Sequence, residues 1–217
     1  MGSFWDDSAA AVRKTADRVF LARFYAYYLA SFYTGGFYLP ADYEVGEGTV
    51  YRIRDDDPAT DDGVFYIERA LLAIEADGSQ WWRLEYYQGD DRISYEFRMA
   101  PDTKVTELYY REGGGATVRM IPAKDDIAAY YADARTAAEM PSKARAKERV
   151  KVGAGTYQAA TVVEEGLDDD GRAYRHSWWL SADVPGGLVQ YVQSAGDDSF
   201  TLTLNAVTRD NRFELRR

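Results

Sequence analysis

Arg92-Ile93-Ser94-Tyr95-Glu96-Phe97-Arg98-Met99 alternates polar and apolar side chains without a break. Successive side chains of a strand point to opposite faces, so this stretch predicts a strand with Ile93, Tyr95, Phe97 and Met99 inside. Arg92, Ser94, Glu96 and Arg98 then form a wet face. A strand buried on one side only belongs to an antiparallel meander, because parallel sheets are covered on both sides.

Working outward, the same period of two recurs in Thr49–Arg54, Val64–Ala76, Ser79–Gln88, Lys104–Arg111 and Ala116–Ile121. It returns in Arg149–Val152, Gly155–Glu164, Arg172–Ser181, Gly187–Ser194 and Ser199–Thr208. The links carry turn chemistry: Asp62-Gly63, Asp77-Gly78, Gly89-Asp90, Gly113-Gly114-Gly115, Pro185-Gly186-Gly187 and Gly196-Asp197-Asp198. Helical spacing is confined to two places. Asp7 to about Tyr33 places Val12, Ala16, Val19, Phe20, Arg23 and Tyr27 on one stripe, with Asp6, Asp7 or Ser8 as a cap. Ala123–Met140 carries Ile127, Tyr130, Tyr131, Ala134 and Ala138 before Pro141 stops it.

The expected fold is therefore mainly β with two helices (α+β). An antiparallel sheet of about eleven strands curls into a half-open β-barrel plugged by the helices. No stretch reads as a domain linker. The whole of 1–217 is taken as one domain: N-terminal helix and lead-in 1–40, first meander 41–122, inserted helix and basic segment 123–148, second meander 149–217.

Composition removes several kinds of chemistry. The chain of 217 residues has no cysteine and one histidine, so disulfides, thiolate metal sites, cysteine nucleophiles and multi-histidine sites are excluded. Its 36 acidic and 26 basic residues give a net charge of −10, which argues against a nucleic-acid partner. The one basic patch is Lys143, Arg145, Lys147 and Arg149. Val19 to Leu39 has membrane length and Arg23 as its sole charge, but its five tyrosines and Gly35-Gly36 argue for a packed amphipathic helix instead of a span. No secretory signal is read in Met1-Gly2-Ser3-Phe4-Trp5-Asp6-Asp7.

No stretch carries a catalytic or metal-binding motif, and the expectation is no catalytic residue, no metal and no cofactor. His176 lies between Tyr174 and Trp178 on one strand face and reads as a histidine beside an aromatic ladder. Asp55-Asp56-Asp57, Asp61-Asp62 and Asp168-Asp169-Asp170 lack the alternating spacing of a calcium loop and read as solvated turns. Gly113-Gly114-Gly115 and Gly153-Ala154-Gly155 lead into strands, whereas a phosphate cradle needs a helix N-terminus. Abundant Asp and Glu leave a paired-carboxylate site open, but no pair stands out.

The aromatic fraction is 15%. Trp81-Trp82, Tyr86-Tyr87, Tyr109-Tyr110 and Trp178-Trp179 put one ring on each face of their strands. The outward rings either pack across strands or form an apolar patch for a ligand or partner. Both readings stay open.

A resemblance follows from the last third. Arg149-Val150-Lys151-Val152-Gly153-Ala154-Gly155-Thr156-Tyr157 precedes Ser177-Trp178-Trp179-Leu180-Ser181-Ala182-Asp183-Val184-Pro185-Gly186-Gly187-Leu188-Val189. This order resembles the lipoprotein-carrier (LolA/LolB-like) superfamily and its uncharacterised periplasmic relatives. There, a tryptophan-bearing strand ending Leu-Ser and a Val-Pro-Gly turn feed the last two strands. The resemblance covers about sixty residues well and the remainder only in element order. It implies a non-enzymatic carrier in the periplasm or cell envelope, holding a lipid, a lipoprotein acyl chain or another apolar ligand. No family arginine maps onto a position here, so no functional residue is carried over. The expected lining is taken instead from the cleanest strands: Trp82, Leu84, Ile93, Tyr95, Phe97, Met99, Phe200, Leu202 and Leu204. The alternative is a protein-interaction module docking through the outward aromatics or the N-terminal helix.

Overall fold

The structure is a computed structural model describing residues 20–25, 27, 28, 31, 42–55, 64–120, 122, 146–167, 171–196 and 198–216. Eleven strands run in chain order: β1 (Gly48–Asp55), β2 (Val64–Ile74), β3 (Gln80–Gln88), β4 (Asp91–Met99), β5 (Val105–Glu112) and β6 (Val118–Met120), then β7 (Ala146–Val152), β8 (Gly155–Leu167), β9 (Ala173–Leu180), β10 (Leu188–Ala195) and β11 (Asp198–Thr208). Each expected strand is present, with ends moved by no more than three residues. They form one antiparallel sheet in the order β6-β5-β4-β3-β2-β1-β11-β10-β9-β8-β7, with β6 and β7 at its two edges, so the sheet is not closed. Two meanders are thus stitched together by β1 against β11, from Gly48↔Thr208 to Asp55↔Phe200.

Register shifts at Val50/Tyr51, Leu71/Ala73, Arg98/Met99 and Leu188/Gln190 add local twist and help the sheet curl. The curl brings the β7–β8 turn back onto β11, where Ala154 donates its backbone N–H to the Leu204 carbonyl at 3.4 Å. Gly153 is required at that contact. A Cβ there would meet the Asn205 Cα at 3.1 Å and its Oδ1 at 2.7 Å.

Helix is described at 20–25, 27, 28 and 31, which accords with the N-terminal expectation over those residues. The second expected helix, Ala123–Met140, lies outside the described residues, as do Lys143, Arg145 and Asp168-Asp169-Asp170. The N-terminal helix packs into the concave face. Phe24 sits 5.1 Å from the Tyr95 ring and 5.3 Å from Phe97, and Phe20 stacks on Tyr110 at 4.7 Å. Tyr28 donates its hydroxyl to the Thr103 carbonyl at 2.7 Å.

The convex side of β2–β5 departs from the expectation of a wet face. Glu96 is fully buried and Ser94 is 2% exposed. Residues 211–216 cross this side and cover it. Glu96 accepts the backbone N–H of Glu214 at 2.6 Å and of Arg216 at 2.9 Å. Arg83 donates to Glu214 at 3.0 Å and to Glu68 at 3.1 Å. Phe213 packs edge-on to Trp81 at 5.6 Å, and the Arg216 guanidinium lies 4.4 Å over the same ring. Alternation assigned Glu96 to the correct face; the segment that roofs it is not encoded in that strand.

Candidate functional site

The helix and the far ends of β2–β5 enclose a cleft of about 600 Å³, within the range of small-ligand sites. It is lined by Arg23 and Tyr27 from the helix, Phe65 from β2, Tyr86 and Tyr87 from β3, Arg92 and Ile93 from β4, and Glu112 from β5. Its apolar wall is the Tyr27–Tyr86 stack, with centroids 3.9 Å apart and planes at 20°. Tyr86 is fixed from behind: its hydroxyl donates to the Tyr27 carbonyl at 2.9 Å and pairs with the Ser31 hydroxyl. Burial holds the Tyr86 phenol above its usual range, so it stays neutral.

The rim is charged. Arg23 reaches Glu112 at 3.0 Å and Tyr27 at 3.2 Å; the Tyr27 hydrogen bond first, then the nearby charges, raise the arginine's pKa despite partial desolvation. Arg92 pairs with the buried Glu85 at 3.3 Å and lies 5.0 Å over the Tyr87 ring. The arrangement has an aromatic wall and polar groups along the opening, which suits an amphipathic ligand more than a small hydrophilic one.

One buried group beside the cleft is unsatisfied. The Tyr95 hydroxyl has no hydrogen-bond partner among the described residues, although the ring is 1% exposed. Tyr95 packs edge-on to Tyr27 at 6.4 Å, and burial raises its pKa, with Arg23 opposing. A buried hydroxyl without a partner calls for an explanation, and a ligand group is one.

All nine expected lining residues fall in one cluster on the concave face. They differ in access. Ile93 lines the cleft, and Tyr95 stands behind its wall. Phe97 and Met99 lie beneath Phe24 and Tyr28, with the Tyr28 hydroxyl 3.2 Å from the Met99 sulfur. Trp82, Leu84 and Leu204 are fully buried, Leu202 nearly so, and Phe200 is half-buried. Ten described cleft residues lie outside that set, among them Arg23, Tyr27, Tyr86, Asp91, Arg92 and Glu112. One signal did mark them: Arg23 is the sole charge between Val19 and Leu39 and sits one helical turn before Tyr27.

Elsewhere on the concave face a buried cation ties the sheet to its loops. Arg69 is 1% exposed, donates to the Tyr43 hydroxyl and the Ser31 carbonyl at 2.9 Å each, and lies over the Tyr43 and Tyr51 rings. Desolvation opposes its charge, but the phenol oxygens of Tyr43 and Tyr51 outweigh this and leave its pKa raised. The Val184-Pro185-Gly186 turn closes against the pair. Gly186 has φ +70°, and a Cβ there would meet the Tyr43 ring at 2.5 Å.

His176 sits on the aromatic ladder expected for it, 5.1 Å from Tyr174 and 5.7 Å from Trp178, with Nδ1 2.8 Å from the Tyr191 hydroxyl. Of the outward rings, Trp81 is roofed by Phe213, Tyr66 and Tyr87 stack on each other at 5.1 Å, and Trp179 donates to Glu148. Cross-strand and tail packing therefore account for these rings. Among the described residues, no group of three or more His, Asp or Glu is placed to hold a metal ion. No described helix is long and apolar enough to cross a membrane.

No family model and no curated protein matches the chain. Several solved structures match the chain, among them these two. One is a protein with a YmcC-like fold from Bacteroides fragilis, thought to be exported, at 8% identity and a TM-score of 0.38, covering 78% of this chain and 99% of that one. The other is a β-barrel-like protein of a domain of unknown function, DUF1849, from Brucella abortus. It has 8% identity and a TM-score of 0.23, and the match covers 79% of this chain and 100% of that one.

Proposed function

We propose that this protein is a non-enzymatic carrier that holds an acyl chain or similar amphipathic ligand in the cleft between its N-terminal helix and the ends of β2–β5. The observation that carries this reading is the pairing of an aromatic wall, Tyr27 on Tyr86, with a charged rim and a buried Tyr95 hydroxyl that has no partner among the described residues. The apolar chain lies along Tyr27, Phe65 and Ile93. The polar end faces the Arg23–Glu112 and Arg92 side of the opening. Ligand binding by burial contributes about 25 cal/mol per Å² of apolar surface removed from water, so a chain gains affinity with length. The resemblance to lipoprotein carriers points the same way and extends the reading to a periplasmic or cell-envelope location.

Titration with a fluorescent fatty acid tests it. Saturable uptake that weakens in Tyr27→Ala and Ile93→Asp is the expected result. Native mass spectrometry of empty protein together with no uptake would overturn it.

A further inference from the structure

Most cations of the N-terminal helix and the first meander are neutralised where they stand. Arg23, Arg83, Arg92, Arg98, Arg111 and Arg119 each hold a carboxylate within 4.0 Å. β7 differs. Lys147, Arg149 and Lys151 are exposed, and none has a carboxylate partner among the described residues. Alternation places all three on one face, opposite Val150 and Val152, which pack against the core. Opposite these three positions the paired strand adds no negative charge. The register sets Lys147 beside Ala160, Arg149 beside Gln158 and Lys151 beside Thr156.

We infer that this face of β7 and β8 docks the protein on an anionic phospholipid bilayer. Alternate residues of a strand are about 7 Å apart, so the three charges form an extended row, which matches a broad negative surface better than one small anion. The face offers no ring for base stacking, which disfavours single-stranded nucleic acid. A net charge of −10 makes anionic lipid repel the chain as a whole, so contact is favoured where positive charge is gathered. The choice of a bilayer as the surface rests on the carrier reading, since an acyl cargo is collected from or delivered to a membrane.

Flotation with vesicles of phosphatidylcholine alone, and of phosphatidylcholine mixed with phosphatidylglycerol, tests the docking face. The expected result is binding to the mixed vesicles only, weakening as salt rises. At about 1 kcal/mol per basic residue at such a surface, one substitution costs roughly fivefold and Lys147→Gln/Arg149→Gln/Lys151→Gln on the order of a hundredfold. Arg52→Gln, an exposed arginine on β1, serves as the control and leaves binding unchanged. Equal binding to uncharged vesicles, an unaltered triple variant with native circular dichroism, or wild-type protein that binds an oligonucleotide but no vesicle would each overturn the inference. Fatty-acid uptake is measured on the same samples. Uptake that survives while flotation is lost in the triple variant supports docking as a separate property. Flotation by wild-type protein that takes up no fatty acid removes the carrier reading and leaves the docking face standing.

Discussion

The two meanders use one strand pattern and reach different degrees of burial. In β3 of the first meander, six consecutive residues from Trp81 to Tyr86 are buried, so both faces of the strand are covered. In β9 of the second, only Ser177 and Trp178 are buried out of eight. The difference does not lie in the alternation, which both strands share. It lies in what covers them: the helix fills the concave side of β3–β5, and residues 211–216 roof the convex side. The lesson is that a period of two specifies the faces of a strand but not the number of layers around it.

That contrast can be broken from the inside first. Phe24→Ala removes the ring that touches Tyr95, Phe97 and Tyr28, and is expected to cost about 3–5 kcal/mol in urea unfolding, with the cleft lost as the helix detaches. The outer cover comes next. Glu96→Ala leaves the Glu214 and Arg216 amides without their acceptor and is expected to cost about 2–3 kcal/mol, with faster hydrogen exchange confined to those residues. In the second meander, Gly153→Ala drives a methyl group into Asn205 and is expected to cost about 1–3 kcal/mol in the same unfolding assay.

A pH titration sharpens the comparison further. Tyr51, Tyr86 and Tyr95 all have phenols held above their usual value of 10.0 chiefly by burial. Their protonated form is favoured in the fold, so this stabilisation is complete below pH 10. Above it the unfolded chain releases protons that the folded chain retains, and each phenol lowers stability by about 1.4 kcal/mol per pH unit until it ionises in the folded state. Phenolate absorbance of these three should therefore appear together with unfolding; smooth ionisation in folded protein would contradict their burial. The smallest effect belongs to the rim, where Arg23→Gln breaks a half-exposed pair with Glu112 and should shift stability by less than about 1 kcal/mol.

Much of the fold was legible because strand alternation is local. Ile93, Tyr95, Phe97 and Met99 could be assigned to one face from their own stretch, and the positions of Trp82, Leu84, Leu202 and Leu204 followed in the same way. The cover over Glu96 and Trp81 was not legible, since Phe213 and Leu215 sit in a segment with no recognisable period. The candidate site was legible only in part. A run of strand residues reveals what faces the concavity, but whether a helix occupies that space depends on a contact such as Phe24 on Phe97. Open volume therefore remains at Ile93 and not at Phe97.

The seam between β1 and β11 also governs how the molecule is assembled. Gly48 and Thr208 are about 160 residues apart in the chain, whereas every other strand pairing joins consecutive strands. Hairpins can form as soon as their own turns close, on the microsecond scale. Joining the two meanders must await a much larger loop closure, which places this protein among slow folders of high contact order. Until that closure, the β1 and β11 edges stand unpaired in solution, and the half-made sheet is most exposed to pairing with another copy of itself.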